Sequence, residues 1–394
     1  MPHLSVLATH LPCWGTEARR VAGHDEDALT LAVAAGRLAL GRAAGTVSAV
    51  VLVTRDLPGL DGGTEAVLLA GLGLPAGTRC SVVLGGAPAA LDEIGAAGPG
   101  TLVLAADVAT AAGAGAVLVG GTGADVEPVA RAEGSLPVRV RDTAGHTFDY
   151  EDPRLLRVRG TAASLVRLGL EAKPLAIAGL GAKDAAALVQ GTPTTLPTNG
   201  ASSAVFALAA LLESGGEGLV AAVEQATACA ARVRRGATEV VRSALPARPL
   251  PATALGADAS IQISLPAYER AFDSKLGLQA GQCATCGTLA LPPRHRCLEC
   301  GSEEPHPLTP LPRTGIVYTA VSVHVPVPGL RAPYDLAIVE LGDTGVRLLT
   351  PVTGGEPGST GIGDGGTLVL RRLTVRNGVP DYGYAFEPTE GALA

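Results

Sequence analysis

Between Asp25 and Leu40 the chain reads DEDALTLAVAAGRLAL. Apolar side chains recur there at helical spacing behind an acidic start, which predicts a helix whose N-terminal dipole end faces carboxylates. Unbroken apolar runs follow at VSAVVLV from Val47, CSVVL from Cys80, GTLVLAADV from Gly100 and GAVLVG from Gly115. Such runs lack the in-out alternation of a half-exposed sheet, so they predict strands covered on both faces. A second cycle starts after a polar stretch: GTAASLVRLGLE predicts a helix, PLAIAGL a strand, AKDAAALVQ and GASSAVFALAALLE helices, and GLVAAV a strand. Two βα cycles in tandem predict a layered α/β/α domain over residues 1–245.

The texture then changes. PARPLPATALGA sets three prolines within its first six positions, too many for a regular helix, so residues 246–275 are expected to be a Pro-rich linker with a short bridging helix at LPAYERAFDSKLG. Residues 276–306 hold four cysteines. Residues 307–394 carry β-patterned runs at GIVYTAVSVHV, DLAIVELG, VRLLTPV and TLVLRRLTV, divided by Gly and Pro turns. Strands of that length in so short a span predict a small all-β barrel.

Composition narrows the class. Hydrophobic residues make up 47% of the 394, charged residues 17% and aromatics 3%, so the core must be built of Ala, Val and Leu, and disorder as the main state is excluded. Thirty basic against 37 acidic residues leave a net charge of −7, which gives no long-range pull towards phosphate backbones or anionic lipid. The longest apolar stretch, from Thr101, carries Asp107 and many Gly and Ala, unlike a lipid-facing helix. No basic leader precedes an apolar run at the N-terminus. The expectation is a cytoplasmic protein with no membrane and no nucleic-acid partner.

Cys283, Cys286, Cys297 and Cys300 form two CxxC pairs, each followed directly by glycine (Gly287, Gly301). Two such turns aim four thiolates at one ion and leave no open coordination position, which predicts structural zinc; iron in a redox centre is the alternative. His295, between the pairs, is expected to be a solvated turn residue.

CATCGTLALPPRHRCLECG, followed by LPRTGIVYTAVSVHV, APYDLAIVELGDTGVRLLTPV and IGDGGTLVLRRLTV, resembles the rubredoxin-like zinc-ribbon and OB-fold family over about Leu265 to Pro388. The resemblance implies association with thiolases, ketoacyl synthase-like enzymes or hydratases that act on acyl-CoA. It also implies a barrel that holds or channels acyl-CoA, and a ribbon and preceding helix that pack on the partner enzyme. An OB barrel can also bind single-stranded nucleic acid, but from Pro307 onward six arginines and no lysine stand against eight carboxylates, which disfavours it. Arg294, Arg296, Arg313, Arg371 and Arg372 are candidates for a CoA phosphate, with surface solubilisation the preferred reading.

The first 245 residues resemble the thiolase superfamily, in its hydroxymethylglutaryl-CoA synthase and ketoacyl synthase III branch. The residues that carry this are GHDEDALTLAVAAGRLAL, VSAVVLVTRDLPG, CSVVLGGAPAALDEI, TLVLAADVATAAGAGAVLVGG, HTFDYEDPRLLRVRG and GASSAVFALAALLESGGEGL. The resemblance implies a nucleophilic cysteine at a strand-to-helix turn, but the matching turn reads Gly85, Gly86, Ala87, Pro88. It implies a histidine from the second half, but no histidine lies between Phe148 and Arg294, and the expected place reads LAIAGLGAK. The late glycine-rich loop is replaced by EQATACAA from Glu224. Asp56 matches the general-acid position and is expected to be a solvated loop carboxylate. Asn199 lies near the active-site asparagine, and Ser202 and Ser203 are expected to be helix caps.

The leading expectation is therefore a non-catalytic subunit, with no catalytic residue of its own, that binds acyl-CoA and pairs as a hetero-oligomer with an active thiolase- or ketosynthase-like protein. An acyltransferase using a displaced thiol such as Cys80 is the alternative. Cys80, Cys229 and Cys13 are each expected to be buried apolar residues.

Overall fold

The apolar runs fold as strands of one mixed sheet. In chain order these are β1 (His3–Leu11), β2 (Ala49–Thr54), β3 (Arg79–Leu84), β4 (Thr101–Asp107), β5 (Gly113–Gly120), β6 (Ala124–Ala132), β7 (Ala176–Ala178), β8 (Gly218–Glu224), β9 (Thr227–Arg234) and β10 (Glu239–Ala244). The computed structural model describes residues 1–389 except 44, 58–62, 142–145, 151, 257–263, 326 and 377. The parts of VTRDLPG, HTFDYEDPRLLRVRG, the Pro-rich linker and the chain end that fall on those positions lie outside the described residues. Two units form, Met1–Pro249 and Leu250–Ala394.

In the first unit the strand order is β7-β8-β9-β6-β1-β5-β4-β2-β3, with β10 parallel to β1. β2 lies parallel to both β3 and β4, and β5 runs antiparallel between β4 and β1. The chain thus repeats one scheme, in which an outer parallel pair is followed by an antiparallel return to the centre: β7, β8, β9 and β6 mirror β2, β4, β5 and β1. Among the described residues β3 has no counterpart in the second half, and it ends the sheet.

Helices cover both faces. α1 (Ala28–Leu40) and α2 (Thr64–Leu72) lie on one; Asp27 caps α1 in a reciprocal box with Thr30, its side chain accepting the Thr30 amide at 3.0 Å. α3 (Ala87–Ala96) packs on the other face, and α4 (Ala163–Leu168) continues a helical stretch that passes through a π turn at Leu156–Ala162. α5 (Ser202–Glu213) packs beside α3, and Ala90, Leu91, Ile94, Ala204, Val205 and Leu208 interlock with Val53, Val103 and Val117 in the main core. Small side chains let these helices sit close to the sheet, as the Ala-rich composition requires. AKDAAALVQ is helical only over Ala182–Ala185, and Gly181 at its N-cap supplies no side-chain cap.

In the second unit α6 (Leu265–Lys275) precedes the ribbon strands β11 (Gln279–Gln282), β12 (Leu289–Ala290) and β13 (Leu308–Pro310), with β11 central. The barrel strands β14 (Thr314–Val323), β15 (Tyr334–Leu341), β16 (Arg347–Pro351), β17 (Gly365–Arg376) and β18 (Val379–Pro388) follow in the order β16-β15-β14-β17-β18. The bridge between Val352 and Phe386 joins the two ends, and the Thr353 amide donates to the Phe386 carbonyl at 2.9 Å. Closure removes the open edges that a five-stranded sheet would otherwise expose. Among the described residues no helix is long and apolar enough to cross a membrane.

Candidate functional site

The turn from β3 into α3 carries Gly85, Gly86, Ala87 and Pro88, and α3 has no side-chain cap from its own segment. A helix start presents unpaired amides and a partial positive charge, a seat for an anion. Glu224, at the end of β8, takes that seat: its carboxylate accepts the Gly86 amide at 3.1 Å. Arg55, just after β2, grips the same carboxylate with both arms, Nε to Oε1 and Nη2 to Oε2 each at 2.6 Å. The Glu224 hydrogen bond holds the Arg55 guanidinium above its ordinary range. Residue 86 must be glycine for this approach, because a Cβ there would overlap the carboxylate.

A second carboxylate occupies the other helix start. Asp107 ends β4 and accepts the Ala201 and Ser202 amides, each at 2.8 Å, together with the Ser202 hydroxyl. Burial pushes its pKa up to about 6 against those hydrogen bonds, and the charge of Asp56 adds to the rise. Asp56 is not the solvated loop carboxylate that its sequence context suggests. It is half-buried, and Oδ2 accepts the Val108 and Ala109 amides at 2.8 and 3.1 Å, since β2 and β4 are parallel neighbours whose C-terminal ends lie side by side.

The serines enter the helix but do not cap it: Ala201 holds the N-cap position with no side-chain cap, and Ser202 and Ser203 are the first two helical residues. Ser202 is fully buried between Asp107 and Thr198, and the Ser203 hydroxyl donates to Gly200 at 2.6 Å while accepting the Gly179 amide at 3.0 Å. Asn199 is exposed just before that helix. LAIAGLGAK supplies β7 and the Gly179 turn.

Neither Cys80 nor Cys229 is activated by its surroundings. Burial and the charge of Glu65 push Cys80 up to about 11, and it lies at the start of β3, the far end from α3. It is only half-buried, less enclosed than expected. Cys229, on β9, points under the first turn of α3 and donates to the Pro88 carbonyl at 3.4 Å; burial pushes it up to about 12. Cys13 is buried. EQATACAA, which stands where the resemblance implies a glycine-rich loop, ends β8 at Glu224, turns at Gln225 and Ala226 and continues as β9. Nothing in the spacing of Arg55 and Glu224, 169 positions apart, signals that they meet.

In the second unit Cys283, Cys286, Cys297 and Cys300 converge with their sulfurs all within 4.8 Å of one another, two of the separations being 3.6 Å. Four thiolates at about 2.3 Å from one zinc would stand about 3.8 Å apart, so the donor set fits that ion. The two turns match atom for atom. The Cys283 amide donates to Thr288 and the Gly287 amide to Cys283, as the Cys297 amide donates to Ser302 and the Gly301 amide to Cys297. Gly287 and Gly301 hold φ of 77° and 71°, a left-handed geometry that glycine adopts without strain. Amides of Cys286 and Thr285 lower the Cys283 thiol, and the Thr288 hydroxyl and amide bring Cys286 down to about 6. The Ser302 amide works to lower Cys300, but burial and the adjoining sulfurs push it up to about 12. A divalent cation relieves that mutual repulsion; zinc here ties the ribbon together. His295 is exposed.

The barrel arginines divide. Arg371 is a correction to the surface reading: it is buried and pairs with Glu387 at 3.0 Å. Arg313 lies over the Tyr384 ring at 4.7 Å. Arg294 and Arg296 are exposed, and Arg372 is half-buried.

Comparison with known proteins adds the following. Residues 278–306 match the family model described as the ChsH2 rubredoxin-like zinc ribbon domain, and residues 308–365 match that of the ChsH2 C-terminal OB-fold domain. A curated protein of Thermomonospora curvata, described as a probable enoyl-CoA hydratase alpha subunit, is 38% identical over 97 residues, 24% of this chain and 29% of that protein. The match therefore spans under a third of that relative's length. Among solved structures, the Ltp2-ChsH2(DUF35) aldolase is 30% identical, covering 33% of this chain and 98% of that one at a TM-score of 0.26. An OleA variant of Xanthomonas campestris is 16% identical over 55% of this chain and 83% of its own, TM-score 0.47. The β-ketoacyl-acyl carrier protein synthase III of Thermus thermophilus is 18% identical over 59% and 98%, TM-score 0.45.

Proposed function

We propose that this chain, whose C-terminal unit carries ChsH2-type zinc-ribbon and OB-fold domains, is an acyl-CoA-binding accessory subunit without covalent chemistry of its own. It works with a thiolase- or ketosynthase-like enzyme in an acyl-transfer or carbon–carbon bond-forming or bond-cleaving complex. In this reading the first unit is a thiolase-like domain that serves as partner and scaffold.

The observation that carries the reading is the Glu224 carboxylate at the start of α3. In a thiolase-like enzyme that position must stabilise a thiolate and then a developing oxyanion. A fixed carboxylate already takes the Gly86 amide and the helix start that either charge would use. The same turn offers no sulfur, and half-buried Cys80 and buried Cys229 are pushed up to about 11 and about 12, so both stay protonated at neutral pH. Nucleophile, base and oxyanion donor act as a unit, so losing more than one removes nearly all covalent catalysis. The subunit description of the Thermomonospora curvata relative supports a place in an assembly that acts on acyl-CoA.

The test is co-expression with a thiolase-like protein that retains its cysteine. The expected result is copurification, with the enzyme inactive or insoluble when made alone. An enzyme fully active without this chain would overturn the reading. So would an acyl adduct, seen by intact mass after incubation with acyl-CoA, that disappears in Cys80→Ala.

A further inference from the structure

α6 has no fully buried residue. Tyr268, Ala271, Phe272 and Lys275 nonetheless recur at i, i+3, i+4 and i+7 and form one half-buried stripe. A stripe of that spacing normally interlocks with a neighbour. Here it borders a cavity of about 330 Å³ whose far rim carries Arg376 and Asp381, at the turn end of the β17–β18 hairpin. The rings of Tyr268 and Phe272 stand edge to face, 6.3 Å between centroids and 62° between planes, and give the cavity an aromatic wall. Its volume lies at the small end of the range for ligand pockets.

The rim charges decide the class of occupant. Lys275 pairs with Asp381, and Arg376 Nη2 stands 3.8 Å from the other oxygen of the same carboxylate. Two cations thus share one carboxylate among the lining residues, and one positive charge is left over beside an apolar chamber. Arg376 is 42% exposed, so its guanidinium is free to turn towards a ligand at the mouth.

We infer that this cavity is a binding site for an amphiphilic anion: a short acyl chain along the Tyr268 and Phe272 wall, its anionic group at Arg376 and Lys275. Free fatty carboxylates and the phosphate-bearing arm of an acyl-CoA share that chemistry. The inference deepens the acyl-CoA reading above and rests on it for the choice of an acyl ligand.

The experiment is calorimetric titration of the full zinc-loaded chain with decanoate, decanoyl-CoA and CoA alone, on the native protein, Ala271→Trp and Arg376→Gln. Tryptophan at 271 fills the chamber; zinc content and the melting curve report whether that variant is folded. The expected outcome is binding of an acyl probe, with CoA alone weaker by at least about tenfold, Ala271→Trp abolishing it and Arg376→Gln weakening it about tenfold. Binding of decanoate and decanoyl-CoA alike makes the carboxylate the sufficient head, whereas binding of the thioester alone assigns the rim to CoA phosphates. Absence of binding by either probe, or equal affinity in a folded Ala271→Trp, overturns the site. In the second case the accessory-subunit reading survives, because acyl-CoA then binds elsewhere on the chain. If Ala271→Trp instead blocks copurification with the enzyme partner and leaves acyl binding unchanged, the stripe is a protein seat and the inference fails. A chain that binds acyl groups here but leaves its partner's activity unaltered loses only the accessory reading.

Discussion

Asp107 and Glu224 occupy equivalent places, each at the end of a strand and each feeding a carboxylate to the start of a helix. The difference lies in what surrounds them. Glu224 has a bidentate guanidinium, so its charge is compensated. Asp107 has only amides and a hydroxyl, is almost wholly buried, and has the like charge of Asp56 nearby. Its folded pKa of about 6 stands above the ordinary 3.8, so the folded state holds the proton more tightly than the unfolded state. The stabilisation this group adds is therefore complete below about pH 3.8 and is lost as pH rises through about 6. Asp107→Asn is expected to flatten the pH dependence of unfolding free energy between about 4 and 6, measured by urea titration, by on the order of 3 kcal/mol. The same variant should be less stable at every pH, since one amide nitrogen would face a backbone N–H. Neither role was legible in the sequence. Asp107 stands out as a charge inside an apolar run, but nothing along the chain says that its partners lie at Ala201 and Ser202.

At the scale of elements, legibility follows how local the determining interactions are. The two CxxC turns were fully readable, because each knuckle is closed by hydrogen bonds within six residues and a glycine with positive φ. Strands β2, β4 and β5 were readable because unbroken Val, Leu and Ala runs must be buried. β9, TACAARVR, lacks β-branched density and is a strand only because β6 and β8 pair with it on either side. β18 buries Tyr382, Tyr384 and Phe386 at every second position with Gly383 and Ala385 between them, but the glycine and the prolines near its two ends conceal it in one dimension. The ribbon yields the prediction that belongs here. Its three short strands bury little, with Leu278, Ala280 and two cysteines doing most of it, so zinc must supply the cohesion. One zinc per chain is expected by mass spectrometry of the native protein, and none in Cys286→Ser. Hydrogen exchange across Gln279–Pro310 should speed up by at least about 100-fold on chelation, with β1 to β6 unchanged.

For the whole molecule the decisive feature is asymmetry between the halves of the large sheet. The second half stops at β7, while the first ends in β3, an edge strand whose outer hydrogen-bonding groups have no strand beside them among the described residues. β3 is RCSVVL; its Val82 and Val83 are half-buried and Leu84 is 70% exposed. An apolar edge of this kind invites pairing with another chain. It adjoins the very turn that Glu224 and Arg55 close. If that pairing is what holds the accessory subunit to its enzyme, a charge placed on the strand must break it without touching the ribbon or barrel. Leu84→Lys, at an exposed position, is expected to lower copurification of the enzyme partner at least about tenfold while zinc content and acyl-probe affinity stay as in the native chain. Undiminished copurification would move the interface off this edge and leave the α6 stripe and the barrel surface as the places to look.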